Sequence, residues 1–305
     1  MIVNKESISA AFVGIKATFN NALETAPSQW QKIAMKITST TSQNDYAWLS
    51  NFPKMREWIG DKRVDSLAAS KYTIANKDWE ATIEVDRNDI EDDNLGIYAP
   101  QAQMAGKSAA QLPDDIVFAL INGGFKNPCH DGQYFFDADH PGVDADGEKC
   151  SVSNKSNKPL SAASEGAALA GYGAARTAMQ KFADDQGVPL NIRPNILLVP
   201  SALEYVAKTL MTAERLEDGK PNLFRGTAEV VVDARLTSDT AWYLLDTTQA
   251  VKPVIYQERK APVFVDQVDL SSDDVFMRKK FKFGVEARAA GGYGFWQLAF
   301  GSTGA

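Results

Sequence analysis

The stretch 86–125, DRNDIEDDNLGIYAPQAQMAGKSAAQLPDDIVFALINGGF, decides how the rest of the 305-residue chain is read. Asp86, Asn88 and Asp89 offer side-chain oxygens for a helix start. Glu91, Asp92 and Asp93 place negative charge where a helix N-terminus favours it. Leu95, Tyr98, Ala102, Ala105, Ala109, Leu112, Ile116 and Leu120 recur at three- and four-residue spacing, which lines one helical face. Gly123 and Gly124 after Asn122 predict a left-handed stop. A helix continuous over 95–121 is about 40 Å long at about 1.5 Å per residue, a spine on which other elements lean. An interior proline removes a backbone bond and costs about 3 kcal/mol. Pro113 therefore predicts a kink, and Pro100 either a first-turn residue or a break between two helices.

Upstream, Ile8, Ala11, Phe12, Ile15, Phe19, Ala22 and Leu23 mark an amphipathic helix over 5–23, closed by Pro27. Ile33, Met35 and Ile37 alternate with polar neighbours as a strand does. The polar tract 38–45 is a loop or an extended arm through which the first helix can reach a neighbouring molecule. Aromatic residues crowd 46–58. Trp79, Ala81, Ile83 and Val85 then alternate with Glu80, Thr82 and Glu84, which predicts one strand of a hairpin turning near Asn76 and Lys77. Such a hairpin is a surface feature or an intersubunit arm.

Downstream, 126–160 is irregular and holds both histidines and both cysteines. An alanine-rich helix follows over 161–187, with Gly187 as its stop. Ile196, Leu197, Leu198 and Val199 form a continuous apolar run, typical of a strand covered on both faces. Pro200 and Ser201 break it, and Ser201 is expected to cap the next helix, so strand, turn and helix make an α/β unit. Strands are expected over 228–232, 242–245, 254–258, 263–265, 275–286 and 293–299, with a hairpin turn at Gly291–Gly294. Arg278, Lys279, Lys280 and Lys282 form a basic cluster, read as a solvated strand face that could also meet acidic partners or phosphates.

The composition, 44% hydrophobic and 23% charged, is that of a globular protein with a sizeable core. A net charge of −7 argues against general nucleic-acid binding. Two cysteines cannot make a disulfide framework, and no stretch approaches the roughly 18 apolar residues of a membrane span. Cys129, His130, His140 and Cys150 carry zinc-ligand chemistry at spacings that match no finger. Asp137, Asp139, Asp144, Asp146 and Glu148 gather oxygens without an EF-hand loop. No serine or cysteine stands in a nucleophile signature beside a histidine, and no glycine run forms a phosphate loop. No catalytic residue, metal or cofactor is predicted.

The order of elements points further than any motif. A polar N-terminal arm, a hairpin and a long helix ending in Leu120-Ile121-Asn122-Gly123-Gly124 precede Leu197-Leu198-Val199-Pro200-Ser201. Leu223-Phe224-Arg225-Gly226, a valine-rich strand through Asp233, Trp242 to Asp246, and Phe283 to Arg288 follow. This order resembles tailed-phage major capsid proteins, and among them the major head subunit of Mu-like phages and prophages. The resemblance implies an α+β, Hong Kong 97-type capsid fold: an N-terminal arm (1–58), an extended β-hairpin loop (59–85), a peripheral domain with the spine helix (86–125) completed by strands (251–305), and an axial α/β domain (126–250). It implies a non-enzymatic virion protein that self-associates as hexamers and pentamers into an icosahedral head around double-stranded DNA, held non-specifically. Assembly partners would be a separate scaffolding protein, since little chain precedes the hairpin, and a portal; no membrane and no covalent crosslink are implied. Lys62, Arg63, Lys71, Lys77 and Trp79 are the candidate intersubunit contacts. Two alternatives stay open: an encapsulin-like cargo shell, and a metal-dependent enzyme using the loop from Cys129 to Cys150.

Overall fold

The computed structural model describes residues 5–50, 72–92, 95–143, 148–184, 187–269 and 271–305. The apolar periodicity near the N-terminus forms helix α1, Lys5–Thr25. A short helix α2, Trp30–Ile33, leads into strand β1, Ala34–Thr38. Strands β2 (Gln43–Asp45), β3 (Thr73–Ala75) and β4 (Lys77–Asp86) precede the short helix α3, Arg87–Glu91. The spine is α4, Ala99–Gly123, about 37 Å long at about 1.5 Å per residue.

The spine is shorter at its start than its periodicity implied. A separate 3-10 turn, Leu95–Ile97, stands before it, and Pro100 sits in its first turn, where a missing amide costs nothing. Asp86 caps α3 by accepting from the Asn88 amide at 2.9 Å. Asp89 instead accepts from the Tyr98 hydroxyl at 2.5 Å, which ties α3 to the head of α4. Pro113 is carried inside one helix. Neither Gly123 nor Gly124 is left-handed; Gly124 closes α4 at φ −61. A Cβ on Gly124 would lie 2.6 Å from the Phe136 ring, so close packing, not backbone handedness, calls for glycine there.

Helix α1 lies on α4. Phe19 and Ala22 meet the spine at Gly106, where an added Cβ would sit 2.4 Å from the Phe19 carbonyl oxygen. Beneath the helices is a four-stranded sheet in the order β1-β11-β12-β4, in which β11 is Val254–Gln267 and β12 is Lys280–Tyr293. β1 runs parallel to β11, and the other pairs are antiparallel. Phe12 packs edge-on against Phe281 and Phe283, with both pairs of centroids 6.2 Å apart.

Several strand expectations are corrected. β3 and β4 do not pair with each other: β3 pairs with β2, and β4 with β12, so Asn76 is a corner between two sheets and not a hairpin turn. The Asn76 side chain holds that corner by donating to the Thr41 carbonyl (2.9 Å) and accepting from Gln257 (2.8 Å). The runs 254–258 and 263–265 are one strand interrupted by irregular register. Residues 275–278, read as the start of a strand, belong to helix α8, Asp273–Arg278, which Ser272 caps. Gly291 and Gly292 lie within β12 rather than in a turn. A Cβ on Gly291 would meet Ile116 and Leu120 at 2.7 Å, so the glycine lets the spine settle onto the sheet.

The chain between α4 and β11 supplies hairpin β5 (His140–Val143) and β6 (Lys149–Val152), then β7 (Lys155–Ser156). The alanine-rich helix is α5 (Glu165–Ala168), a π-turn (Leu169–Gly173) and α6 (Ala174–Lys181). Strand β8 (Ile196–Val199), helix α7 (Glu204–Thr212) and strand β9 (Glu229–Val232) form the expected α/β unit, with β8 and β9 parallel and β8 buried throughout. Ser201 makes no side-chain cap; it opens a 3-10 turn after Pro200. With β10 (Trp242–Leu245) and β13 (Ala299–Ser302) these strands make a second sheet, ordered β7-β13-β10-β8-β9. β13 thus belongs with the α/β unit, although 251–305 was expected to return wholly to the spine. The second half of α4 joins both sheets: Phe118 and Ile121 are fully buried, and Asn122 donates to the Arg235 carbonyl at 2.8 Å.

Candidate functional site

The irregular loop after the spine gathers a cluster of polar side chains. Cys129 N–H donates to the Gln133 carbonyl at 2.8 Å, closing a tight turn through Gly132 at φ +88. Asp131 projects inward from that turn. Its Oδ1 accepts from the Cys129 thiol and from the Gln133 amide, both at 3.0 Å, and its Oδ2 lies 2.7 Å from His140 Nδ1. An ionised carboxylate only accepts, so Nδ1 carries the proton. His140 is fully buried, and its ring stacks on Trp296 at 4.1 Å.

Cys129, Asp131 and His140 thus bring their ligand atoms within 4.8 Å of one another. His130 and Cys150, the other two residues with zinc-ligand chemistry in this loop, lie outside that group. They line the adjoining cleft of about 790 Å³ beside Trp296 and Lys149. Burial, reinforced by the Asp131 charge, pushes the Cys129 thiol far above its usual range, so it is protonated. Burial works against the Asp131 charge too, but hydrogen bonds from His140 and Cys129 outweigh it and hold the carboxyl below its usual value. A protonated thiol is not a nucleophile. Two of the contacts are ordinary hydrogen-bond lengths to one carboxylate. The arrangement is a buried network that pins the loop to β5. Asp131 was missed in the sequence because nothing distinguishes it from the other loop aspartates; its place beside Gly132, between a cysteine and a turn, was the available signal.

The acidic loop residues are also engaged by neighbours. Asp137 accepts from the Ala138 amide at 2.7 Å, and Asp139 accepts from the Ser151 hydroxyl. Asp144 and Asp146 lie outside the described residues.

Of the expected intersubunit contacts, Lys62, Arg63 and Lys71 lie outside the described residues. Lys77 and Trp79 stand on β4. Lys77 is exposed opposite Ala289, and the Trp79 indole donates to the Ala289 carbonyl at 3.0 Å with its ring 38% exposed. The basic cluster is divided. Lys280 pairs with Asp86 (3.2 Å) and Lys282 with Asp274 (2.6 Å), while Arg278 and Lys279 end α8. Beside them Phe276 and Met277 are 81% and 74% exposed, and Met104 on the spine is 70% exposed. Large apolar side chains held in water mark contact surfaces. Among the described residues no helix is long and apolar enough to cross a membrane.

The chain matches the family described as the Mu-like prophage major head subunit gpT over residues 8–168, 160–236 and 233–305. It is 35% identical over 302 residues to the major capsid protein of Escherichia phage Mu, covering 98% of this chain and 74% of that protein. It is also 35% identical over 299 residues to the Mu-like prophage FluMu major head subunit of Haemophilus influenzae, covering 97% of this chain and 73% of that protein. Its fold is similar to the subunit in the procapsid of bacteriophage JBD30, with a TM-score of 0.62 at 35% identity, covering 98% of this chain and 76% of that one.

Proposed function

The chain belongs to the Mu-like prophage major head subunit family, and from that premise we propose that its copies assemble as hexamers and pentamers into an icosahedral shell enclosing double-stranded DNA. It is a major capsid protein of a Mu-like phage, and its place is the virion. The observation that carries the proposal is the likeness to the JBD30 procapsid subunit along 98% of the chain.

The finer architecture is part of the same proposal. Helix α4 with β11 and β12 corresponds to the peripheral domain of a Hong Kong 97-type fold, and the five-stranded sheet with α5–α7 to its axial domain. Residues 1–58 serve as the N-terminal arm and 59–85 as the extended loop, with Lys62, Arg63, Lys71, Lys77 and Trp79 meeting a neighbouring subunit. A separate scaffolding protein and a portal take part in assembly. A net charge of −7 suits a wall that tolerates packaged DNA without binding its sequence. Shells of this kind rest on large repeated interfaces closed by symmetry. The reading gives the Cys129–His140 network a structural part, since its thiol, carboxylate and imidazole hydrogen-bond to one another.

Negative-stain microscopy with size-exclusion chromatography tests the proposal, on the protein alone and after co-expression with the genes beside its own. Shells, tubes or hexameric and pentameric rings are expected. A discrete monomer or dimer under every condition refutes it, and closed particles filled with protein in place of DNA would favour a cargo shell.

A further inference from the structure

We propose that the α8 tip of one copy docks into the groove between α4 and β4 of a second copy. The proposal rests on the shell-subunit reading above, and goes beyond it by naming a contact.

The tip is built to present apolar side chains. α8 is six residues long, joined to the β11–β12 pair, and is held by Val275, which is 2% exposed. With Val275 turned inward against Phe281 and Phe283, the next two residues, Phe276 and Met277, are left almost wholly in water. Asp274 and Lys282 lock the helix to β12 at 2.6 Å, and Lys279 ends it in the left-handed conformation at φ 58. The tip therefore reads outward as two large apolar residues followed by Arg278, which also lies 3.9 Å from Asp274, and Lys279.

The groove has the opposite character. Ala81 and Ile83 of β4 and Met104 and Ala105 of α4 line a cleft of about 670 Å³, together with Thr82, Glu84, Gln101 and Ser108. Glu80 borders the continuation of that cleft toward Trp79. β4 is the terminal strand of its sheet, so its outer edge carries no partner within the four-stranded order. An apolar floor with a carboxylate rim complements an apolar pair with a cationic flank in both hydrophobicity and charge. The occupant is not the chain's own tip. Phe276 at 81% exposure fills no groove of its own copy, and Val275 and the Asp274–Lys282 pair fix α8 where it stands. A second copy supplies the same tip at the concentration at which shells form. A surface that meets a different surface on its neighbour is heterologous, the kind of contact that builds rings and closed shells.

The test uses assembled particles. In a Cys150→Ser background, one tagged copy carries Met277→Cys and a differently tagged copy carries Met104→Cys; both positions are exposed, so folding is preserved. The two are co-expressed with the neighbouring genes, particles are isolated, and mild oxidation is followed by non-reducing electrophoresis. A crosslinked heterodimer bearing both tags is expected. Phe276→Asp should lower the assembled fraction by about tenfold or more, while leaving the unfolding midpoint of the subunit unchanged. Particles without the heterodimer overturn the contact and leave the shell reading standing. Met277→Cys crosslinking to its own kind also overturns it, since that places tip against tip. If the unaltered chain forms no particles with its neighbouring genes, the shell reading fails and the contact fails with it.

Discussion

Replacing Gly106 with alanine sets two effects of opposite sign against each other. Within a helix, alanine is favoured over glycine by about 0.5–1 kcal/mol, because glycine loses more backbone freedom on folding. At this position, though, the new Cβ would lie 2.4 Å from the Phe19 carbonyl oxygen and 2.9 Å from the Ala22 Cβ. The nearer atom is backbone and cannot rotate away, so α1 must shift off the spine. Forcing extra atoms into a close-packed contact costs about 1–3 kcal/mol. The clash wins, and Gly106→Ala is expected to destabilise the subunit by about 1–2 kcal/mol net. Gly14→Ala on α1 supplies the control: among the described residues nothing lies within 4 Å of its Cβ, so only the favourable term acts, about 0.5–1 kcal/mol. Equilibrium denaturation of unassembled subunit, followed by tryptophan fluorescence, measures both. A Gly106→Ala midpoint at or above that of the unaltered protein would refute the packing of α1 on α4.

Asp114 is 1% exposed and accepts from the Gln29 and Trp30 amides at 2.9 and 2.7 Å; Asp114→Ala strands both donors and should cost about 2–4 kcal/mol in the same denaturation assay. Asp131 has a folded pKa below its ordinary value of 3.8, so its stabilisation is fully present above that value and is lost as pH falls through the lower folded one. Asp131→Asn should therefore lower the melting temperature at neutral pH and flatten its decline below about pH 4, which thermal scans across pH will record. Native protein should react with one equivalent of a thiol reagent, at half-buried Cys150, and with two after unfolding, because Cys129 is buried with a protonated thiol; two fast equivalents in the native state would contradict the network.

Legibility followed the range of the interactions. The run Ile196–Val199 announced a doubly covered strand because burial on both faces leaves no polar position, and α1 and α4 announced themselves by period. Errors gathered where a residue's role is set by a distant partner. Gly291 looked like a turn because its reason for being glycine is Ile116 on another element. Asn76 looked like a hairpin turn because its side chain answers to Gln257 and Thr41. Asp131 looked like any loop aspartate because its partner His140 arrives from β5. α8 was hidden by the strand-like residues that follow it, and β13 by its passage from one sheet to the other within a few residues of Tyr293. The exposed Phe276 and Met277 could not be told from core residues until the fold left them outside.

The pairing of β1 with β11 has a consequence for timing. The partner of Ala34–Thr38 begins only at Val254, and β4 waits nearly as long for β12. At about 5–20 residues per second, roughly 10–40 s separate the two strands on the ribosome. Through that interval the apolar face of α1 has neither the sheet's Phe264 nor Phe281 and Phe283 to cover it. The groove beside α4 and the tip at α8 are complete only once β12 has joined its sheet. A nascent chain therefore offers neither half of the proposed contact before β12 has emerged.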